Sequence, residues 1–302
     1  MKYDFIKANQ GCFRITDLCR VLGVSRAGYY DDLKRKTAEP GKREKERQHL
    51  SEQIQQIYDQ HEGRYGSPRI HATLVEREIP CSLGRVKRIM RLEGLAAKTG
   101  RRFKPRKRKQ KLTDTHNLLH SDDFKLEHTN QVWSSDITYV ATDEGWLYLA
   151  GTMDLLSKRL VGYAMADHMR TELVIDCLNM AITHRKPDKG LIHHNDRGSQ
   201  YTSYRFQHKL QAHGFQASFT AKGACLDNAD IESFWATLKK ELIYLKPKFK
   251  TRNEARAAIF HYIEAYYNRA RIHSSLDYRS PVSFEQFLKG QQQDNDLDLL
   301  AA

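Results

Sequence analysis

The sequence predicts two fold classes in one chain, an all-α region over about its first third and an α/β region after it. Three observations carry this prediction: helical spacing of apolar residues up to residue 98, a basic stretch without a core pattern, and alternating strands and helices from about residue 125. The last part has the element order βββαβαβα. A mixed five-stranded sheet with flanking helices is the natural packing for this order, so we expect that architecture for residues 125–290.

Residues 1–36 are predicted to form a helix-turn-helix-like unit. Its first helix ends at Gly23, and Ser25 can cap its second helix. The second helix of such a unit can enter the major groove of DNA, so Arg26 at its start is a candidate DNA contact. Many helical hairpins share this pattern without binding DNA, and that alternative stays open. The apolar residues at helical spacing are Ile15, Leu18, Cys19 and Leu22.

Residues 37–98 are predicted to contain a linker helix and a second helix-turn-helix-like unit. The first helix of this unit begins with Ser67 as N-cap and Pro68 in the first turn, and Ser82 can cap its second helix. The second helix carries basic side chains around an apolar stripe. They are either phosphate contacts or a solvated face, and the candidates for DNA contact are Arg85 and Arg88.

The positive charge of the chain is concentrated in its N-terminal third. Of the 50 Lys and Arg and 37 Asp and Glu, residues 1–112 hold 28 and 13, a net of +15, and the remainder holds 22 and 24, a net of −2. Within a basic linker arm at 99–124, the stretch RRFKPRKRKQK holds eight basic residues. Such an arm gives salt-sensitive affinity for DNA phosphates, the alternative being a solubilising tether. The candidate contacts there are Arg102, Arg106 and Arg108.

Cysteine usage and hydropathy exclude several classes of protein. The five cysteines are irregularly spaced without a C-x-x-C pair, which argues against a disulfide framework or a zinc cluster and favours a reducing cytoplasm. The N-terminal residues have no apolar stretch of signal-peptide length. No run approaches the roughly 20 apolar residues of a membrane span, so no membrane association is expected.

The elements of the α/β region follow from their period and their end signals. Strands are predicted for VWSSDITYV, for two segments of WLYLAGTMDLLSKRLVGYAMA, for LIHHND and for FQASFT. Helices are predicted to begin at Thr171 and, after a cap at Asp227, to carry Glu232. A final long helix spans about 252–270, and residues 291–302 are a polar tail that we expect to be flexible.

Three acidic residues stand in polar islands that such a fold does not require, namely Asp136, Asp196 and Glu232. Subtraction (232 − 196 − 1) leaves 35 residues between the last two. Singly they could be a hydrogen-bonded strand residue, a turn residue and a surface helix residue. Together, carboxylates on a strand, at a strand end and at a helix start can converge on a pair of divalent cations that relieve their repulsion. Oxygen ligands of this kind suit Mg²⁺ or Mn²⁺.

Four segments of the α/β region resemble the insertion-sequence transposases of the IS-three family, which belong to the DDE, retroviral-integrase superfamily with a ribonuclease-H-like core. They are VWSSDITYV, HHNDRGSQYTS, DNADIESFWATLKKE and YNRARIHSSLDYRSPVSFE, within residues 125–288. CRVLGVSRAGYY and YGSPRIHATLVE also resemble that family's second-frame product. The spacing fits the family's D-D-35-E pattern. The resemblance implies that Asp136, Asp196 and Glu232 are catalytic and hold two Mg²⁺ ions, for which Mn²⁺ can substitute.

The resemblance also implies an activity and its partners. A family member frees a 3′-OH at the end of its element and joins it to another DNA phosphate, in the bacterial nucleoid. The implied partners are the terminal inverted repeats, target DNA, further copies of the chain and a first-frame product. Alternatives are a nuclease that only cuts, a DNA-binding regulator, and an inactive second-frame accessory protein without catalysis of its own.

Three residues near the triad keep open roles at this stage. Lys239 lies seven residues after Glu232, on the same helix face. By similarity to integrases that face meets the DNA ends, although a solvated lysine is an equal alternative. Arg271 in YNRARIH contacts DNA, orients the glutamate helix or braces the fold. Asn228 caps its helix, contacts DNA or supports Glu232.

Overall fold

The structure is a computed structural model that describes residues 2–37, 41–98, 117–120, 124–220, 228–245 and 247–301. The chain divides into two compact units, residues 1–57 and 58–302, which are described separately. Among the described residues no helix is long and apolar enough to cross a membrane.

The first unit is all-α, as predicted. Ile6, Cys19 and Tyr29 form its buried centre, and Leu18 and Leu22 pack against them. The predicted serine cap is present, since the Gly28 backbone N–H donates to Ser25 Oγ at 3.0 Å. The helices are α1 (Lys2–Asn9), α2 (Ile15–Val21), α3 (Arg26–Thr37) and most of α4 (Lys42–Gln60).

The second unit opens with two helices, α5 (Ser67–Glu76) and α6 (Leu83–Leu92). Ser82 caps α6 as predicted, because its hydroxyl accepts from the Arg85 backbone N–H at 3.2 Å. The cap predicted for α5 is wrong by one residue. Gly66 occupies the N-cap position without a side-chain hydrogen bond, and the serine is already the first helical residue.

A mixed five-stranded sheet forms the centre of the second unit, as predicted, with the strand order β3-β2-β1-β4-β5. β1 pairs antiparallel with β2, and β2 with β3, whereas β4 is parallel to both β1 and β5. The strands are β1 (Val132–Thr142), β2 (Gly145–Asp154), β3 (Leu160–Ala166), β4 (Ile192–Asn195) and β5 (Gln216–Phe219).

The register of β4 leaves one edge of β1 open. β4 pairs with Val132–Ser135, and the next bridge on that side of β1 joins Thr142 to Phe249. In the described part of the chain, β1 therefore has no strand partner on this edge between positions 136 and 141. An unpaired strand edge next to the end of a parallel neighbour is a place where polar side chains can collect.

Two helices, α7 (Thr171–Arg185) and α8 (Tyr204–Ala212), form a hydrophobic core with the sheet. Gly162 on β3 permits the close approach of α7, because a Cβ there would lie 2.5 Å from the Cys177 carbonyl oxygen. The largest fully buried side chains of this core are those of Trp133 and Phe206.

The remaining helices are α9 (Ala229–Leu238), α10 (Arg252–His261) and α11 (Pro281–Ala301). α9 continues as a π-helical turn at Lys239–Ile243, and α10 does so at Tyr262–Tyr267. The predicted helix over 252–270 therefore changes its hydrogen-bond pattern at Tyr262. Most of the segment predicted as a tail, 291–302, belongs to α11, which extends to Ala301.

Candidate catalytic site

Strand register brings two of the three predicted acids together. Ser135 on β1 pairs with Asn195 on the parallel strand β4. Asp136 is the next residue of β1 and Asp196 directly follows the end of β4, so the two acids stand at neighbouring positions beside the open edge. Glu232 lies in the first turn of α9, where the partial positive charge of a helix N-terminus tolerates a carboxylate.

Electrostatics shows that the three carboxylates act on one another. Burial is the largest cause that raises the pKa of Asp136, to about 7, and the charges of Asp196 and Glu232 also raise it. Burial and the charge of Asp196 also raise the pKa of Glu232. Three distant segments of the chain thus place their acids in a common field, in which a cation would be stabilised.

The donor set fits a hard divalent cation, because all three groups are carboxylates and neighbouring negative charges raise the pKa of Asp136 and of Glu232. Within the described ranges no three His, Cys, Asp or Glu side chains stand as a ready-made metal cluster.

Trp235 links the helix of the site to the sheet. Its indole N–H donates to Asp136 Oδ2 at 3.0 Å, and its ring lies over Gly151, the residue that pairs with Asp136 across β1 and β2. A Cβ at position 151 would lie 2.7 Å from the indole ring, so any residue other than glycine would clash with the ring in this position. Trp235 is one helical turn after Glu232, and both therefore face the site.

Asn228 fastens the start of α9 to β1. It is buried, and it accepts a hydrogen bond from Ser134 Oγ and donates from Nδ2 to the Ser135 carbonyl oxygen at 3.3 Å. Its side chain makes no capping hydrogen bond. Of the three roles open to it from sequence, these contacts favour support of Glu232.

The two histidines before Asp196 are part of the packing beneath the site. His193 Nε2 lies 3.0 Å from Ser135 Oγ, and His194 Nδ1 lies 2.9 Å from Ser218 Oγ. Burial foremost, together with the neighbouring His194, lowers the pKa of His193 to about 3, so His193 is neutral at physiological pH. Both contacts are those of packed, hydrogen-bonded histidines.

Asp154 is a structural acid. It is fully buried and accepts hydrogen bonds from the backbone N–H groups of Asn130, Leu156 and Ser157. It lies at the end of β2 and closes the turn into β3.

The candidate DNA contacts are spread over the chain. Lys239 follows α9 directly, is half-buried, and has a pKa lowered foremost by burial while the charge of Asp136 opposes this. Arg26 and Arg88 are exposed at the surface and Arg85 is partly exposed. Arg102, Arg106 and Arg108 lie outside the described residues.

Arg271 is placed differently from the other DNA candidates. It is buried and holds Glu241 through two hydrogen bonds, from Nη2 to Oε1 at 2.8 Å and from Nε to Oε2 at 2.9 Å. A guanidinium committed to a buried carboxylate is not free for a DNA phosphate. This contact favours the bracing role over DNA contact, since Glu241 belongs to the turn that continues α9.

A segment before α5 docks beside the same ion pair, which the sequence did not indicate. Arg64 donates to the Glu241 carbonyl oxygen at 3.2 Å and lies 4.4 Å over the ring of Tyr266. The Tyr65 hydroxyl donates to the Ala270 carbonyl oxygen at 3.1 Å and accepts from the backbone N–H of Ile272 at 2.9 Å. The helical pair α5–α6 is therefore fastened to the core at its first residues.

Family models match most of the chain. Two models described as "Integrase core domain" match residues 127–225 and 213–281, and one described as "HTH-like domain" matches residues 45–103. The catalytic core domain of HTLV-2 integrase in complex with magnesium is similar at 15% identity and a TM-score of 0.39, over 52% of this chain and 97% of that chain. A likeness this distant does not extend to ligands.

Curated relatives are much more similar. Transposase InsF for insertion sequence IS3A of Escherichia coli (strain K12) is 41% identical over 286 residues, which covers 94% of this chain and 98% of the relative. The transposase for insertion sequence element IS904 of Lactococcus lactis subsp. lactis (strain IL1403) is 45% identical over 249 residues, 82% of this chain and 98% of the relative. With this coverage, the chain belongs to the IS-three family of insertion-sequence transposases and is a DDE-type DNA transposase with an integrase core.

Proposed function

We propose that this transposase cleaves the 3′ ends of its element and joins them to DNA at Asp136, Asp196 and Glu232, with two Mg²⁺ ions that Mn²⁺ can replace. The observation that carries the proposal is the register of β1 and β4, by which Asp136 and Asp196 stand at neighbouring positions. The charge of Glu232 acts on the same place, since it raises the pKa of Asp136. When bound, Mg²⁺ would stabilise negative charge on the phosphate during transfer.

The residues of the chain position the acids for this chemistry. The indole N–H of Trp235 fixes one oxygen of Asp136, and Asn228 fixes the first turn of α9. Lys239 adds a positive charge that interacts with Asp136 and suits a DNA phosphate entering the site. A site held in this way catalyses mainly by orientation and charge stabilisation, since the attacking 3′-OH and the scissile phosphate must lie in line.

The test is a junction assay in cells. The gene with its native flanks is placed on a plasmid, its upstream frame is supplied, and abutted element ends are amplified. We expect junctions from the wild type and a loss of at least about 10²-fold for Glu232→Gln, because loss of one charge-stabilising group costs on this order. Junctions from Glu232→Gln at the wild-type level would refute the assignment of the triad.

Asp230→Asn is the matched control for this experiment. Asp230 lies on the same helix, two residues before Glu232, and pairs with Lys158 at 2.8 Å. The acids whose charges raise the pKa of Asp136 are instead Asp196 and Glu232. The control variant should therefore keep its junctions, which separates a catalytic loss from a general effect of removing acid from α9.

Partners follow from the reaction. Joining two ends requires both terminal inverted repeats and target DNA, so we propose that the active form is an oligomer of this chain together with the first-frame product. The basic N-terminal third and the helical region matched as HTH-like supply DNA affinity in this arrangement. Acting on the element in its replicon, the assembly would be associated with the bacterial nucleoid.

A further inference from the structure

An exposed pair of aromatic rings lies beside the candidate catalytic site. Tyr139 and Trp146 are 54% and 50% exposed, and their rings meet edge to face with centroids 5.0 Å apart. Of the three tryptophans in the sequence, Trp133 and Trp235 are buried. Large aromatic side chains that stay exposed next to a functional site indicate a binding surface rather than part of the core.

The pair is tied to the catalytic site through the strand and through a lysine. Tyr139 lies three residues after Asp136 on β1, about 10 Å along the strand. By period-two alternation its side chain leaves the opposite face of the sheet, at the edge of β1 that has no strand partner among the described residues. The Lys239 ammonium lies 5.3 Å from the centre of the Tyr139 ring, and its charge also interacts with Asp136. The Lys239 ammonium thus interacts both with the Tyr139 ring and with Asp136.

The tip of the β1–β2 hairpin that carries Trp146 is fixed by several contacts. Arg252 Nε donates to the Trp146 carbonyl oxygen at 3.1 Å, and the Arg252 backbone N–H donates to Glu144 Oε2 at 2.8 Å. Thr142 Oγ1 donates to the Gly145 carbonyl oxygen at 2.7 Å, across the turn. A pre-organised aromatic surface loses little conformational freedom when a ligand stacks on it.

We infer that Tyr139, Trp146 and Lys239, here called the aromatic platform, stack an unpaired nucleobase of the DNA end that enters the catalytic site. The inference rests on the proposed function of the neighbouring carboxylates. Aromatic faces bind bases of any sequence when the base is free of its pair, and the lysine neutralises the adjoining phosphate. Inside an intact duplex both faces of a base are covered, so the platform selects ends that have opened.

The test uses the full-length chain without metal and two probes, a blunt duplex and the same duplex with an unpaired 3′ thymidine tail. Because Trp146 is the exposed tryptophan, acrylamide quenching of tryptophan fluorescence reports on it directly, and Trp146→Phe gives the background. We expect the tailed duplex to shield the wild type from acrylamide more than the blunt duplex does. Equal shielding by both duplexes would overturn the inference.

Affinity provides the second readout. Tyr139→Ala should lose the preference for the tailed duplex, about tenfold, within the range for one base stacked on an aromatic side chain. Tyr204→Ala is the matched control, since Tyr204 is 82% exposed at the start of α8 and should leave the preference intact. An unchanged preference in Tyr139→Ala, or an equal loss in Tyr204→Ala, would contradict the platform.

The same assay separates failure of the platform from failure of the proposed function. Glu232→Gln should keep the preference for the tailed duplex, because binding is measured without metal, while it loses junctions in cells. Junctions at wild-type level from Glu232→Gln would refute the catalytic triad and leave the fluorescence result standing. If Glu232→Gln loses its junctions as expected but both duplexes shield the wild type equally, the aromatic platform is refuted and the catalytic triad is not.

Discussion

At the scale of single residues, the candidate site depends on a packing contact between Trp235 and Gly151. The indole ring occupies the space that a side chain at position 151 would fill, and in this position its N–H reaches Asp136. Because the same ring belongs to α9, its position also sets the distance between Asp136 and Glu232. The placement of Asp136 relative to α9 thus depends on the lack of a side chain at Gly151.

Gly151→Ala is therefore expected to damage both stability and catalysis. The new Cβ must displace the Trp235 ring or shift β2, and overpacking of this kind costs about 1–3 kcal/mol of the free energy of unfolding. Displacement of the ring also removes the hydrogen bond to Asp136, so junction formation should fall more than stability alone explains. Urea unfolding of the purified chain and the junction assay measure the two effects.

Gly84→Ala serves as the control for Gly151→Ala. Gly84 lies in α6, where the nearest atom to an added Cβ is Ser82 Oγ at 4.0 Å. Replacement of a helical glycine by alanine, where there is space for the methyl group, raises the free energy of unfolding by about 0.4–1 kcal/mol. If Gly151→Ala were as stable and as active as this control, the ring would not be positioned by the glycine.

The sequence carried signals for this contact as well as for the acids. The three acids were singled out because they stand in polar islands at the spacing of the D-D-35-E pattern, and their catalytic role stays a prediction. Trp235 lies three residues after Glu232, the spacing of side chains on one helix face. Gly151 interrupts a strand, a pattern that indicates close approach of another group. Which group approaches depends on the packing of α9, which no local pattern specifies.

At the scale of elements, a buried ion pair holds the turn after α9 against the end of the core. Glu241 and Arg271 are both buried, and the Tyr262 hydroxyl donates to Glu241 Oε2 at 2.8 Å. Burial alone would raise the pKa of Glu241, but the hydrogen bonds and the charge of Arg271 outweigh it and lower the pKa. The pair therefore fixes the C-terminal side of the helix that carries Glu232.

Removal of one partner should be costly. Arg271→Met leaves the Glu241 carboxylate buried without its main partner, which costs about 3–5 kcal/mol in comparable buried pairs. By contrast, Glu172→Gln breaks the exposed pair with Arg205 and should cost less than about 1 kcal/mol. Urea unfolding near neutral pH measures both. A cost for Arg271→Met as small as that of the control would contradict the bracing role.

The pH dependence of the same variant gives an internal check. Because the pKa of Glu241 is lowered in the folded state, its contribution to stability is present above its ordinary value of 4.5 and is lost as the pH falls through the folded pKa. A protonated Glu241 no longer requires a cation. The difference in stability between wild type and Arg271→Met should therefore narrow as the pH is lowered through that range.

The elements themselves were largely predictable, whereas their long-range contacts were not. Strand-like segments and the signals at their ends predicted all five strands, and the order of strands and helices predicted the sheet. The docking of Arg64 and Tyr65 joins residues 177 and 205 positions apart in the chain, and only tertiary packing brings them together. The π-helical turn at Tyr262–Tyr267 was missed for a similar reason, because local periodicity does not show which backbone carbonyl an N–H will reach.

At the scale of the whole molecule, positive charge and catalysis are separated along the chain. The first 112 residues hold a net charge of +15, and the rest, which contains the three acids, is close to neutral at −2. A neutral core does not attract DNA strongly by itself. DNA affinity should therefore come mainly from the N-terminal third, and the core should act on whatever DNA that part delivers.

This separation predicts where the salt dependence of DNA binding originates. Replacing Arg102, Arg106 and Arg108 together by glutamine should flatten the plot of log affinity against log salt by up to about 2.7, at about 0.9 for each phosphate that is no longer neutralised. The control replaces three exposed basic residues of the core, so that the net charge falls equally; they are Lys186, Lys189 and Arg205. Filter binding of one duplex over a range of salt concentrations measures both slopes. Equal flattening by the two sets would contradict an origin in the basic linker arm and would mean that affinity follows the total charge of the chain.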